Sequence, residues 1–227
     1  GAVGGGTTGG SGARGQVTIN SAGIADTDNV FKAAGLDWTA TTEIQLDGLV
    51  TSTDTVDLTA ALIDVNAGIT AAGQLVDLNA GATGLTVDGG AITTSGVDAA
   101  AGAIDIDSTG NVAITSDLLA AGADAVTGAG YAGGAVTINV SGAEKTLSLA
   151  GDITTSGGAT TAGAANGGAS GLITLNTNKG LITLTDSTLT AAGGSGATQG
   201  AGGAITLSDE LELAGTTATL SSGATAG

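Results

Sequence analysis

Apolar residues alternate with polar or small residues in short runs that return along the whole chain. The tripeptide Val-Asp-Leu, for example, stands at 56–58 and again at 76–78. Alternation with period two is typical of a β-strand that buries one face, and recurrence at similar offsets indicates a repeat. Eight such first strands can be aligned, and their leading apolar residues are Val17, Leu36, Val56, Val76, Ile104, Val136, Ile173 and Ile205.

Two further apolar contacts follow within each repeat. The first repeat has an ill-defined second strand around Ile24, and later repeats have one that begins at Ile44, Ile63, Leu85, Val112, Leu147, Ile182 and Leu211. A third contact is expected at Leu49, Ile69, Ile92, Leu118, Ile153, Leu189 and Leu220. A segment rich in Gly, Ala, Ser and Thr then leads into the next repeat.

This arrangement predicts an all-β fold, namely a parallel β-helix of about eight rungs with three short strands per rung and insertions at one corner. Because the faces vary in length, a right-handed coil is favoured over a left-handed hexapeptide coil. A hairpin meander or β-sandwich is the competing fold, and the absence of Asn-Gly turns from the sequence argues against it. Disorder is disfavoured by the mean hydropathy of +0.37 and the regular spacing of β-branched residues.

We expect three parts along the chain. Residues 1–16 are interpreted as a glycine-rich corner insertion of a preceding rung, 17–220 as the β-solenoid and 221–227 as the start of a further corner insertion. Neither end carries a polar cap in the sequence, and uncovered strand edges associate readily. We therefore expect either a longer solenoid or a unit that stacks end to end.

The composition limits both the core and the partners. The 227 residues include 43 glycines, one each of Phe, Trp and Tyr, and no Pro, Cys, His or Met, so the core must be narrow and aliphatic. A net charge of −17 argues against a nucleic-acid partner and against docking on anionic lipid. The lack of Cys excludes disulfides, thiolate zinc sites and thiol catalysis. No apolar run is long enough for a membrane helix, so no membrane insertion is expected.

Polar residues occupy the centre of each first strand, where they are expected to point outward. This column comprises Thr18, Asp37, Asp57, Asp77, Asp105, Thr137, Thr174 and Thr206. A second polar column, two residues later, comprises Asn20, Thr39, Thr59, Asn79, Asp107, Asn139, Asn176 and Ser208. Short polar side chains of this kind bond to the backbone at corners.

The aspartates of these columns have two interpretations. The simpler one is a solvated anionic stripe. The other is a row of hard-cation sites formed by Asp37, Asp57, Asp77, Asp105 and Asp107, with Ca²⁺ as the ion, because Ca²⁺ takes several oxygen ligands. No cofactor is required by the pattern.

Residues for other chemistry are sparse. Glu210 and Glu212 lie two apart on one strand, and such acids more often form a solvated face than an acid/base pair. With no His and four basic residues, we predict that the chain is not an enzyme. Thr137, Thr174 and Thr206 suggest an ice-binding face, but a single regular threonine column where two are needed argues against it.

Coils of about 20 residues, such as 56–75, and the Gly-Gly-X-Ile/Val-Thr-Ile/Leu starts at 133–138 and 202–207 carry a family resemblance. The pattern resembles the filamentous-haemagglutinin-like exoproteins and the wider class of giant β-strand-repeat surface proteins of bacteria. The resemblance implies a secreted or cell-surface protein of a Gram-negative bacterium. It would be a structural fibre, adhesin or matrix scaffold that associates with itself.

Two other functions stay open. One is an adhesive binding module, in which the corner insertions 120–134, 156–170 and 191–203 contact a host receptor or a glycan. The other is a polysaccharide-active β-helix enzyme.

Overall fold

The computed structural model describes residues 15–21, 23–26 and 30–224. The regular secondary structure of these residues consists of β-strands, with no helix. Residues 1–14 of the predicted N-terminal insertion lie outside the described residues. The strands are β1 (Gln16–Ser21), β2 (Ile24–Asp26), β3 (Phe31–Ala33), β4 (Gly35–Ala40), β5 (Glu43–Leu46), β6 (Val50–Ser52), β7 (Val56–Val65), β8 (Ile69–Thr70), β9 (Val76–Val87), β10 (Ile92–Thr93), β11 (Ile104–Ser108), β12 (Val112–Ile114), β13 (Leu118–Leu119), β14 (Val136–Ala143), β15 (Leu147–Leu149), β16 (Ile153–Thr154), β17 (Ile173–Thr185), β18 (Thr188–Gly193), β19 (Ile205–Ala214) and β20 (Thr219–Ala224).

The strands form two sheets in which the paired strands run parallel. One sheet has twelve strands and the other has eight, in the order β20-β18-β16-β13-β10-β8-β6-β3. The predicted alignment of first strands is confirmed residue by residue. Val17 pairs with Leu36, Leu36 with Val56 and Val56 with Val76, and the column continues through the remaining first strands to Ile205.

The predicted architecture, a β-helix of about eight rungs with three short strands per rung, is wrong. First and second strands merge in several repeats, so that β9 and β17 run for 12 and 13 residues. As a result β9 pairs with both β11 and β12, while β17 pairs with both β14 and β15. With the β11–β14 and β12–β15 pairs, these six strands close a parallel barrel, beside which lies the eight-stranded sheet.

The merged strands β9 and β17 bend at the residues between their two halves. The connecting stretches 81–84 and 177–180 carry small or polar residues and contain no proline, so nothing removes a backbone donor from the ladder. Gly84 adopts a φ of 110° and Lys179 a φ of 59°. One residue in the left-handed region bends each chain within the strand, and pairing resumes after a register shift.

The core is a continuous aliphatic cluster that includes Ile44, Leu58, Ile106 and Leu118, each with 0% exposure. Trp38 also points inward and is buried, although its indole N–H has no hydrogen-bond partner among the described residues. Among the interior strands, one predicted core contact is wrong.

Leu49 was expected to lead the third contact of its repeat, but it is 37% exposed. Its neighbour Val50 is buried and pairs with Phe31 on one side and Ile69 on the other. Because successive residues of a strand face opposite ways, a shift of one position exchanges the buried and exposed faces.

The long corner segments 120–134, 156–170 and 191–203 do not form the separate insertions that were predicted at one corner. Their backbones hydrogen-bond to one another, because the Gly158 amide donates to the Tyr131 carbonyl at 2.8 Å. Within segment 156–170 the Gly168 amide donates to the Gly158 carbonyl, also at 2.8 Å. The Gly194 amide then donates to the Gly168 carbonyl at 2.9 Å. Successive segments therefore stack as a layer, which we call the glycine layer. At the other boundary of the prediction, residues 221–224 continue β20.

Candidate functional site: an acidic ladder and a polar corner

The four aspartates of the predicted column lie side by side on neighbouring strands. Asp37 pairs with Asp57, Asp57 with Asp77 and Asp77 with Asp105. Neighbouring strands are about 4.8 Å apart, so each carboxylate lies close to the next. All four side chains are partly exposed. We call this set the acidic ladder.

Asp107 lies in the second polar column, where side chains bond to one another. The Asn139 side-chain amide donates to Asp107 Oδ1 at 2.9 Å, and Asn176 donates to Asn139 Oδ1 at 2.8 Å. Asn79 donates to Asp77 Oδ1 at 2.9 Å and so joins the two columns. The predicted register of both columns is confirmed, but these contacts join side chains and do not reach the backbone.

The acidic ladder carries carboxylates with perturbed acidity. Burial raises the pKa of Asp57 above its ordinary value, and the Asp77 and Asp37 carboxylates raise it further. Burial also raises the pKa of Asp105, and the Asp107 and Asp77 carboxylates raise it further. For Asp77, burial and Asp107 outweigh the lowering by the Asn79 hydrogen bond, and the pKa is raised. Each of these groups is therefore less stable as an anion in the fold than in the unfolded chain.

In the part of the chain that the structure describes, no three or more carboxylates form a group that could hold a metal ion. The column spreads its aspartates one per strand along the sheet, whereas Ca²⁺ needs several oxygens around one point. Calcium at Asp37, Asp57, Asp77, Asp105 and Asp107 stays a prediction, which the removal of calcium can test.

A different set of aspartates has a structural role that the sequence analysis missed. Asp186 Oδ1 accepts the amides of Thr216 at 2.6 Å and of Thr217 at 3.0 Å, from the next repeat. Asp117 accepts the Asp152 amide, and Asp152 in turn accepts the Thr188 amide at 2.7 Å. For Asp117 and Asp152 the signal was an acid directly before the third apolar contact, in Asp117-Leu118 and Asp152-Ile153, whereas Asp186 lies three residues before Leu189.

A threonine column on the eight-stranded sheet was also missed. Thr51 pairs with Thr70 and Thr70 with Thr93, and Leu119 interrupts the column before Thr154 and Thr190. The Ile-Thr dipeptides at 69–70, 92–93 and 153–154 were the available signal. The column predicted from the sequence comprises Thr137, Thr174 and Thr206 and lies in the twelve-stranded sheet. The two threonine columns therefore lie on different sheets.

A polar groove lies beside β14, at the bends where the two halves of β17 and of β19 meet. Its volume is about 530 Å³, and its lining consists of Asn139, Ser141, Asn176, Thr177, Asn178, Lys179 and Asp209. Asn176 pairs with Ser208 and Leu181 pairs with Glu210, so four residues of β17 face one residue of β19. This mismatch of corner lengths opens the groove.

No protein-family model, curated protein or solved structure matches this chain. The resemblance to filamentous-haemagglutinin-like exoproteins therefore rests on the sequence pattern alone. In the described residues, no helix has the length and apolar character needed to cross a membrane.

Proposed function

We propose that this protein is a non-enzymatic structural component of a secreted bacterial fibre, adhesin or matrix, and that copies of it associate end to end. The observation that carries the proposal is a set of leucines on the last strands. The residues at the same positions on the earlier interior strands are buried, each with at most 2% exposure. The extracellular and bacterial setting is supported by the sequence resemblance.

The exposed leucines contrast with their partners one strand earlier. Leu211 is 41% exposed and Leu213 is 61% exposed, whereas the residues that they pair with, Ile182 and Leu184, are 0% exposed. Leu220, on β20, is 47% exposed, and its partner Leu189 is fully buried. A further layer of strands over β19 and β20 would bury this apolar surface, at about 25 cal/mol per Å².

The opposite side of both sheets offers strands that could supply that layer. In the described residues β1 pairs only with β4, and β3 pairs only with β6. Within the described residues both are edge strands, as are β19 and β20, and the outer backbone donors and acceptors of an edge strand can pair with another strand. Because all pairing is parallel, β1 of a second copy can continue the sheet beyond β19 while its β3 continues beyond β20. Such a head-to-tail contact does not close and produces filaments.

Sedimentation velocity tests this association. The wild-type protein should form larger species as its concentration rises. Leu213→Lys should weaken the association at least tenfold, since an unpaired charge in a buried interface costs several kcal/mol. The matched control is Val126→Lys, which changes an 81% exposed valine in the glycine layer and should leave association intact. A wild-type protein that stays monomeric at its highest soluble concentration would refute the proposal.

The second candidate is an adhesive binding module that uses the corner segments 120–134, 156–170 and 191–203. It is favoured by the order of the glycine layer, which presents Tyr131 and Val126 at 38% and 81% exposure on a hydrogen-bonded support. Tyr131→Ser and Val126→Ser should then reduce adhesion to host cells or glycans while the melting temperature stays unchanged.

A further inference from the structure

The polar groove between β14, β17 and β19 has a lining with unused hydrogen-bonding capacity. Asn176 and Asn178 use their amide N–H groups internally, the latter to the Ser141 carbonyl at 3.0 Å. No contact within the described residues engages their side-chain oxygens or the Lys179 ammonium group. Asp209 accepts one long contact, from the Thr177 hydroxyl at 3.4 Å.

The backbone at the groove is held in uncommon conformations. Lys179 has a φ of 59° and Asp209 a φ of 94°, both in a region that residues other than glycine rarely adopt. These conformations place an ammonium group and a carboxylate in the lining of one groove. Strain of this kind clusters at binding sites and is maintained by the surrounding structure.

The chemistry of the lining selects the class of ligand. All seven lining residues are polar, so the groove has no apolar wall to bind a hydrophobic molecule. One positive and one negative side chain balance each other, and a net charge of −17 disfavours anionic ligands at long range. Amide oxygens and a carboxylate accept hydrogen bonds, and an ammonium group donates them. A ligand must therefore both donate and accept at several neighbouring positions, as vicinal hydroxyls do.

We propose that the polar groove is a binding site for a neutral saccharide. Adjacent sugar hydroxyls donate to the Asp209 carboxylate and to the side-chain oxygens of Asn176 and Asn178, and the Lys179 ammonium group donates to a hydroxyl or ring oxygen. This site is separate from the corner segments 120–134, 156–170 and 191–203 and from the leucines of β19 and β20. It does not depend on end-to-end association.

Ligand-observed NMR with the full chain tests the site, using maltotriose, lactose and the N-acetylglucosamine trimer as saccharide probes and glycine as a zwitterionic probe. At least one saccharide should receive saturation from the protein. Asp209→Asn should weaken that binding about tenfold, because one charge-assisted hydrogen bond is lost. Asparagine tolerates the left-handed backbone, so the fold is expected to survive.

Glu212→Gln is the matched control, because Glu212 lies on the same strand but outside the groove lining. It should bind the saccharide like the wild type. Lys179→Gln should also weaken binding, at unchanged melting temperature. No transfer to any of the three saccharides, transfer to glycine alone, or equal loss in Glu212→Gln would each overturn the proposal.

Discussion

At the scale of single residues, the glycine layer depends on backbone approach that excludes a side chain. A Cβ atom at Gly168 would overlap the Tyr131 carbonyl oxygen, which belongs to the backbone and cannot rotate away. The Gly168 amide donates to the Gly158 carbonyl at 2.8 Å, so the chain cannot shift without losing this bond. Glycine is required at this position because there is no room for a Cβ atom.

Gly168→Ala should lower the free energy of unfolding by about 1–3 kcal/mol, the usual cost of overpacking. Gly163 in the same segment is the matched control, because a Cβ there would meet nothing within 4 Å. Gly163→Ala should be neutral or stabilising by about 0.4–1 kcal/mol, because alanine restricts the unfolded chain. Urea denaturation followed by circular dichroism measures both. Equal effects of the two substitutions would show that the close backbone approach at Gly168 does not contribute to stability.

Asp186 shows how one carboxylate fixes the chain of the next repeat. Backbone amides of Thr217 and Thr216 and the Thr216 hydroxyl donate to it and hold the pKa of Asp186 below its ordinary value of 3.8. A depressed pKa means that the stabilisation is present above the unfolded value and is lost as pH falls through the folded value.

Asp186→Ala should therefore lower the melting temperature at pH 7, and the difference from the wild type should shrink as the pH falls below about 3.8. Asp88→Ala is the control, since Asp88 is exposed and no contact of its side chain occurs within the described residues. Thermal melts at a series of pH values measure both variants. A difference that persists unchanged in acid would contradict a role for the ionised carboxylate.

At the scale of elements, repulsion between the carboxylates of the acidic ladder destabilises the sheet on which they lie. Asp57 has Asp37 and Asp77 as neighbours in register on β4 and β9, and like charges in such pairs destabilise by about 0.2–1 kcal/mol each. Because the folded pKa of Asp57 is raised, the fold binds the proton more tightly than the unfolded chain does. Its contribution to stability falls as pH rises from 3.8 through the folded pKa.

Asp57→Asn should accordingly raise the free energy of unfolding at pH 7 by about 1 kcal/mol, and this gain should vanish in acid. Asp64→Asn is the control on the same strand, since its register partners are Gln45 and Thr86 and carry no charge. Chemical denaturation at pH 7 and pH 3 measures both variants.

Calcium binding by the ladder would reverse the sign for Asp57→Asn. The substitution would then destabilise the protein in calcium, and EDTA would lower the wild-type melting temperature. A wild-type melting temperature that EDTA does not change would eliminate the calcium hypothesis.

The register of the strands could be predicted from the sequence because alternation fixes which residues face the core. Val56, Val76 and Ile104 each begin an unambiguous apolar-polar-apolar run, and they pair in the predicted register. The third contact was misplaced at Leu49, since both Leu49 and Val50 are apolar and the pattern offers no choice between them.

The merging of strands could not be predicted in the same way. Whether 81–84 breaks a strand or bends within it depends on the backbone conformation of Gly84 and on the neighbouring strand that resumes pairing. The polar groove was missed for a related reason. It arises because the bend of β17 contains four residues where the bend of β19 contains one. Such a difference is defined only once the two strands are paired, so neither sequence segment indicates it by itself.

At the scale of the whole molecule, the two proposed interface sides are different surfaces. One carries β19 and β20, and the other carries β1 and β3. A variant blocked on one side can therefore still use the other, in contrast to a two-fold interface.

Val17→Lys should block the β1 side, as Leu213→Lys blocks the β19 side. Each variant alone should be monomeric, and an equimolar mixture should form dimers but nothing larger, because each copy keeps one functional side. Sedimentation velocity distinguishes the species, and far-ultraviolet circular dichroism checks that both variants fold. Filaments in the mixture, or dimers of either variant alone, would contradict a head-to-tail contact.

The fluorescence of the single tryptophan reports on the side of the molecule that carries β1. Trp38 lies on β4 between Ile19 of β1 and Leu58 of β7 and is 4% exposed. Its indole N–H has no hydrogen-bond partner in the part of the chain that the structure describes. Its emission therefore originates in a dry aliphatic environment, one strand away from the β1 edge. Tryptophan fluorescence, excited selectively over Tyr131, reports the integrity of that edge alone, whereas circular dichroism averages over both sheets.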